Sequence, residues 1–252
     1  MQDNRQSNQK VVLITGAARR IGEAIARYFH ARQYRVIVHF HTSAAAAMAL
    51  VDSLNQQRPN SCLWWQCDLA DFDSFNTLNH LLENHWQRLD VIIHNASSFM
   101  RTPIGHANLS DWNQLFDSNV KGAYFLTQMV LPWLRAACGN IVAITDIHAT
   151  TPMRDYSLYC MSKSALMMMV KVLAKELAPT VRVNAVAPGV AALPEGSNSI
   201  DDKMQKALLS RIPLQRFGDT NDIAQAAWVL VEQCLYMTGQ VLTIDGGRSL
   251  SV

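Results

Sequence analysis

Apolar positions fall in short continuous runs, and the segments between them carry apolar residues at helical spacing. "KVVLITG" (10–16), "YRVIVHF" (34–40), "SCLWWQCDL" (61–69), "LDVIIHNA" (89–96), "GNIVAITD" (139–146), "VRVNAVAPG" (181–189) and "GQVLTIDGG" (239–247) read as strands buried on both faces. The intervening stretches 21–33, 44–57, 71–87, 110–137, 156–178 and 220–232 read as helices. Asp71 and Ser110 are candidate caps for two of them, and Pro179 stops the helix at 156–178. Strands alternating with helices predict an α/β class, a single doubly wound Rossmann domain with a parallel sheet of about seven strands and helices on both faces. That domain spans 10–252. A polar tail at 1–9 is expected to be loose, and 190–218 breaks the rhythm as an expected substrate lid.

Composition agrees with one packed domain. Apolar residues make up 49% of the 252 positions and charged residues 17%. With 22 basic and 20 acidic residues the formal charge is +2, which gives no case for a nucleic-acid partner. No run of about 18 apolar residues marks a membrane span, and the N-terminus lacks the apolar core of an export signal. Five scattered cysteines (Cys62, Cys67, Cys138, Cys160 and Cys234) suggest neither a disulfide framework nor a metal site, and point to a reducing, cytoplasmic setting.

"VVLITGAARRIGEAIA" is a strand, a glycine turn and a helix. Gly16 and Gly22 bracket a turn whose backbone amides, with the helix N-terminus behind them, favour a pyrophosphate. The spacing is not GxGxxG, so two incidental glycines in a βα turn stay open as the alternative. A fold preferring NAD usually ends its second strand with a carboxylate for the ribose 2′-OH. Here Val38 to Ala46 contains none. His39, His41, Thr42 and Ser43 offer donors instead, and Arg19 stands in the first turn, a set that suits a 2′-phosphate and hence NADPH/NADP. Both histidines could equally be ordinary surface residues.

Tyr159 and Lys163 stand four apart, one helical turn, where a cation can favour the phenolate and bring the phenol towards working pH. With "TGAARRIG", "HNAS", "YCMSK" and "TGQVLTIDGG" in this order, the chain resembles the short-chain dehydrogenase/reductase family from about residue 10 onward. The resemblance implies that Tyr159 is the general acid/base, that Lys163 holds the nicotinamide ribose, and that Asn119 completes a proton relay. It also implies that Ile21, Asp68, Leu69, Asn95, Ala96, Ser97, Pro188 and Gly189 surround the cofactor.

Three positions depart from the family pattern. Arg20 stands for a glycine, "HNAS" for "NNAG", and Asp146 for the serine thirteen residues before the tyrosine. With "HFHTSAAAA", "NASSF" and the closing "IDGGRSL", these departures resemble the pteridine reductases, and the bacterial dihydromonapterin reductases share much of the pattern. Thr42 stands where the former carry an arginine. This narrower resemblance implies that Phe99 stacks a pterin, that Ser97 and Arg20 contact pterin or cofactor phosphate, and that Asp146 and Tyr159 supply protons while NADPH supplies hydride.

Asp146 also bears on the substrate by its charge. A carboxylate would repel the negative charge that grows on a ketone oxygen, whereas reduction of a pterin C=N bond builds charge on a nitrogen that must be protonated. The bland alternatives are a helix cap or surface group for Asp146, plain core for Phe99 and a solvent-facing Arg20. Other expectations held open are a carbonyl or 3-oxoacyl thioester reductase and, outside enzymes, a dinucleotide-binding regulator. The two long helices carry more apolar residues than one sheet face needs, and the family resemblance implies a homotetramer built through them.

Overall fold

The computed structural model describes residues 9–193 and 201–250. Seven strands, β1 (Val11–Ile14), β2 (Arg35–Phe40), β3 (Cys62–Gln66), β4 (Val91–His94), β5 (Asn140–Ile144), β6 (Arg182–Pro188) and β7 (Val241–Ile244), form one sheet in the order β3-β2-β1-β4-β5-β6-β7. All six pairings are parallel.

Strand periodicity divides the core in two. Val12 and Ile14 of β1 face one cluster, and Val11 and Leu13 the other. The first face is covered by α1 (Arg20–Ala31), α2 (Ala44–Gln57) and α8 (Thr220–Trp228), through Ile25, Phe29, Leu50, Leu54 and Ile223. The second is covered by α3 (Asn76–Asn84), α5 (Gly122–Ala136) and α6 (Ser157–Leu177), through Leu78, Leu126, Val130, Leu166 and Val170. β1 lies between β2 and β4, so the chain reverses its direction of winding there. A crevice opens at such a switch point, at the carboxyl ends of the strands.

The seven expected strands are present, and several helix boundaries differ. The stretch 71–87 is a short 3-10 turn (Asp73–Phe75) followed by α3, and Asp71 caps neither. The stretch 110–137 is α4 (Leu109–Phe116), a π turn (Asp117–Lys121) and α5. Its cap is Asn108 rather than Ser110, because Asn108 and Asp111 bond each other's backbone N–H in a capping box. The 190–218 segment contains α7 (Asp202–Leu209), capped by Asp201 through a 2.7 Å bond from the Met204 N–H. The expected loose tail lies outside the described residues except for Gln9, as do 194–200 of the expected lid.

By length and composition α6 passes for a helix able to cross a membrane, but half of its most apolar window is buried inside the fold. It is a core helix, carrying Leu166 and Val170 on the sheet side and Tyr159 and Lys163 at the crevice.

Candidate active site

The glycine turn is built by close approach. Gly16 has φ +62, and a Cβ there would lie 2.9 Å from the Ala96 Cα. A Cβ on Gly22 would lie 2.3 Å from the Gly16 carbonyl oxygen. Only glycine fits at either place. Asn95 clamps the turn to β4, its Nδ2 donating to the carbonyls of Thr15 (2.9 Å) and Gly16 (3.0 Å). The N–H groups of Asn95 and Ala96 both donate to Thr15 Oγ1. Arg20, standing for a glycine of the family pattern, keeps the left-handed backbone with φ 56. Its guanidinium donates to the Leu193 carbonyl at 2.7 Å, so it ties the glycine turn to the segment that follows β6.

At the end of β2 the structure corrects one expectation. His39 is buried and does not offer a donor to a phosphate. Its Nδ1 accepts the Gly16 N–H at 3.0 Å and its Nε2 faces the Cys67 carbonyl at 3.1 Å. A carbonyl can only accept, so Nε2 carries the proton and both ring nitrogens are committed. Burial lowers its pKa to about 4, which keeps the ring neutral. His39 therefore shapes the glycine turn from behind.

His41 is exposed, 3.8 Å from the Asp68 carboxylate. His41 and Asp68 line a cavity of about 390 Å³ with Gly16, Leu69, Ala96 and Ser97. Arg19, Thr42 and Ser43 line neither this cavity nor the one described next; Arg19 and Thr42 are exposed. The crowded glycine turn and the cavity beside it suit a dinucleotide.

A second cavity of about 370 Å³ gathers Arg20, Ile21, Asn95, Ser97, Phe99, Asp146, Tyr159, Lys163, Pro188 and Gly189. Tyr159 and Lys163 project from successive turns of α6 towards the end of β5. The Tyr159 hydroxyl donates to Asp146 Oδ2 at 2.6 Å, and Lys163 Nζ donates to the Ile144 carbonyl at 3.1 Å. Asp146 is also a cap, its Oδ1 accepting the His148 N–H at 2.8 Å at the start of a 3-10 turn, Ile147–Ala149. The cap is thus formed by Oδ1, and Oδ2 is bonded to the tyrosine.

The electrostatics run against one expectation. Burial, joined by the Asp146 carboxylate, holds the Tyr159 phenol well above its ordinary value. Burial lowers Lys163 to about 8, against the pull of Asp146. In this arrangement Tyr159 is a neutral proton donor, and Lys163 does not bring it to working pH. Asn119 lies in the π turn, 1% exposed. Its Nδ2 donates to Ser98 O and Ser162 Oγ, and its Oδ1 accepts from Ser98 N and Ser118 Oγ. With every side-chain bond used inside the chain, it pins the loop after β4 to α6, which leaves no side-chain group of Asn119 for a relay.

Phe99 stacks on Tyr156 at 4.8 Å and meets Tyr159 edge-on at 4.8 Å. It belongs to a small apolar cluster with Leu115 and Leu158 that walls the cavity. Among the lining residues that carried no role in the sequence are His148, Met153, Tyr156 and Arg248. Arg248 follows the closing "IDGG", where Asp245 accepts the N–H groups of Gly247 and Ser249 and fixes the turn. Only its place in that signature pointed to it.

Comparison with known proteins agrees with this architecture. A family model described as enoyl-(acyl carrier protein) reductase matches residues 16–249. Pteridine reductase 1 of Leishmania tarentolae is 32% identical over 282 aligned positions, 96% of each chain. The 3-oxoacyl-[acyl-carrier-protein] reductase FabG of Thermotoga maritima is 32% identical, covering 94% of this chain and 97% of its own. Glucose 1-dehydrogenase 2 of Bacillus subtilis is 28% identical, covering 96% and 95%. With a seven-stranded parallel sheet, a glycine turn closed against β4, and Tyr159 and Lys163 one turn apart beside it, the chain belongs to the short-chain dehydrogenase/reductase family, whose members are NAD(P)H-dependent oxidoreductases.

Proposed function

We propose that the protein is an NADPH-dependent pterin reductase, converting dihydropterins such as dihydrobiopterin, and with them dihydrofolate, to tetrahydro forms. The observation that carries this is the 2.6 Å bond from Tyr159 to Asp146. A carboxylate this close to the general acid opposes the oxyanion of a ketone reduction. It suits a nitrogen heterocycle, whose N–H groups it can accept and whose reduced nitrogen needs a proton.

NADPH, when bound, would supply the hydride for the ring carbon of the C=N bond. The electron pair of that bond moves to nitrogen, and Tyr159, held neutral by burial and by Asp146, gives the proton. Asp146 orients the phenol, and the proton that Tyr159 gives is replaced from solvent after turnover. Phe99, part-exposed at the cavity wall, offers an aromatic surface to a flat bicyclic ring, and Ser97 and Arg20 offer donors. Gly16, Ile21, Gly22, Asn95, Ala96, Pro188 and Gly189 would hold the cofactor, and His41, Asp68 and Leu69, on the cavity beside the glycine turn, would serve its adenosine end.

The similarity to pteridine reductase 1 of Leishmania tarentolae supports the same substrate class. Equal identity to a 3-oxoacyl-[acyl-carrier-protein] reductase favours a second reading, a 3-oxoacyl thioester reductase, against which Asp146 counts. NADPH oxidation measured with dihydrobiopterin, dihydrofolate and an acetoacetyl thioester decides between them. Turnover of the thioester alone overturns the pterin assignment.

The proposed assembly is a homotetramer through α5 and α6, supported by the exposed Tyr124, Phe125, Met161, Met168 and Val172 on those helices. A concentration-independent monomer by sedimentation overturns it. All five cysteines are free, in keeping with a cytoplasmic setting.

A further inference from the structure

His148 lines the cavity beside Asp146. Its ring is 8% exposed. Nδ1 lies 2.9 Å from the Thr151 carbonyl oxygen. Because a carbonyl accepts and never donates, Nδ1 carries a proton, and the tautomer with its one proton there has its lone pair at Nε2. Among the described residues, Nε2 is buried and has no hydrogen-bond partner. Buried polar atoms are nearly always paired, so an unpaired ring nitrogen on a residue that lines a ligand cavity marks a place for a donor.

The other such imidazole nitrogen separates the two cases. His94 Nδ1 is also buried without a partner among the described residues, but His94 lies within β4, bonds Thr127 through Nε2, and lines neither cavity. His148 alone joins the unpaired nitrogen to the cavity that holds Tyr159.

We propose that His148 is a substrate-binding residue whose Nε2 accepts a hydrogen bond from the substrate, either from a ring N–H or from an O–H on the substituent. The assignment rests on the pterin reading above and deepens it. The backbone N–H of His148 already holds Asp146 Oδ1, so the imidazole and the carboxylate sit on one short turn. A donor on Nε2 therefore fixes the substrate in register with Asp146 and Tyr159. Arg248, on the same cavity, offers only donors. His148 and Asp146 are the matching acceptors, and together they select a substrate with both kinds of edge over a plain ketone.

The test compares wild type with His148→Met and His148→Gln. Steady-state rates are measured with dihydrobiopterin and with 6-methyl-dihydropterin, which lacks side-chain hydroxyls, and the NADPH dissociation constant is measured separately. His148→Met should raise KM for dihydrobiopterin about tenfold, the size of one lost hydrogen bond to a buried acceptor. Its kcat should change little and its NADPH affinity not at all. Gln can place its carbonyl oxygen near the position of Nε2, so His148→Gln should recover most of the loss.

A rise confined to dihydrobiopterin assigns the donor to the side-chain hydroxyls, and a rise with both substrates assigns it to a ring N–H. Unchanged KM for both pterins in His148→Met overturns the proposal, as does a His148→Gln variant as impaired as His148→Met. His148→Ala carries the same expectations if His148→Met does not fold. A wild-type protein that reduces neither pterin overturns the pterin reading, and this assignment with it; an active wild type with indifferent variants overturns this assignment alone.

Discussion

Tyr159 and Asp146, thirteen residues apart, share a 2.6 Å hydrogen bond in which the phenol is the donor and Oδ2 the acceptor. The other carboxylate oxygen is held by the His148 N–H, so Asp146 cannot swing away without unmaking its own turn. The phenol is thus fixed in direction by a group that also raises its pKa. An acid that keeps its proton until a stronger base forms beside it suits reduction, where a nitrogen gains an electron pair and a proton is needed.

Replacing the phenol tests this role first. Tyr159→Phe should bind NADPH as wild type does, because the glycine turn and Lys163 are untouched. Turnover of dihydrobiopterin should fall on the order of 10²–10⁴-fold, the usual range for a lost general acid. Near wild-type kcat in this variant removes Tyr159 as the proton source.

Asp146→Ser puts back the neutral hydroxyl of the family pattern. Pterin kcat/KM should drop roughly 10²-fold, in line with one orienting or acid–base contact. Activity on a small diketone should hold or rise, since the repulsive charge is gone. If pterin turnover is untouched, the residue is a cap and nothing more.

Cofactor preference follows from the end of β2. NADPH should exceed NADH in kcat/KM by about tenfold or more, as expected for at least one hydrogen bond to a charged phosphate. His41→Asp introduces the repelling carboxylate and should reverse the preference. An NADH preference in the wild type refutes the 2′-phosphate assignment outright.

Acid stability is set by buried imidazoles. Burial lowers His30 to about 4, His39 to about 4 and His94 to about 3, against an ordinary 6.5. Between pH 6.5 and those values the unfolded chain binds protons that the folded chain refuses. The unfolded state therefore holds more protons in that window, and stability falls as pH falls. Each such histidine removes up to about 1.4 kcal/mol per pH unit there. Urea midpoints at pH 7 and pH 5 should differ clearly, with pH 5 lower; equal midpoints contradict the neutral buried rings.

The strands were readable from the chain because a parallel strand buried on both faces is a short apolar run with no polar alternation to confuse it. Tyr159 and Lys163 were readable because a helical turn sets their distance. What sequence did not reveal depends on partners far along the chain. Both nitrogens of His39 are taken by Gly16 and Cys67, and nothing in "VHFHTS" announces that. The helix expected at 110–137 turns out to contain a π turn, whose buried Asn119 ties to Ser98 and Ser162. The cap at Asn108 was missed because Ser110, two residues on, is as good a capping type. His148 and Arg248 reach the cavity only through the turn after β5 and the turn after β7, and their residue types alone carry no positional signal.

The cavity walls come from positions as far apart as Arg20 and Arg248, with Asn95, Asp146 and Gly189 between. During synthesis, then, a growing chain can complete its first three strands and even the glycine turn while possessing no chemistry at all. The last wall arrives with residue 248, after the sheet has been closed by β7. A chain halted before that point lacks the wall that Arg248 supplies, so the enclosure of this cavity waits on the turn that follows β7.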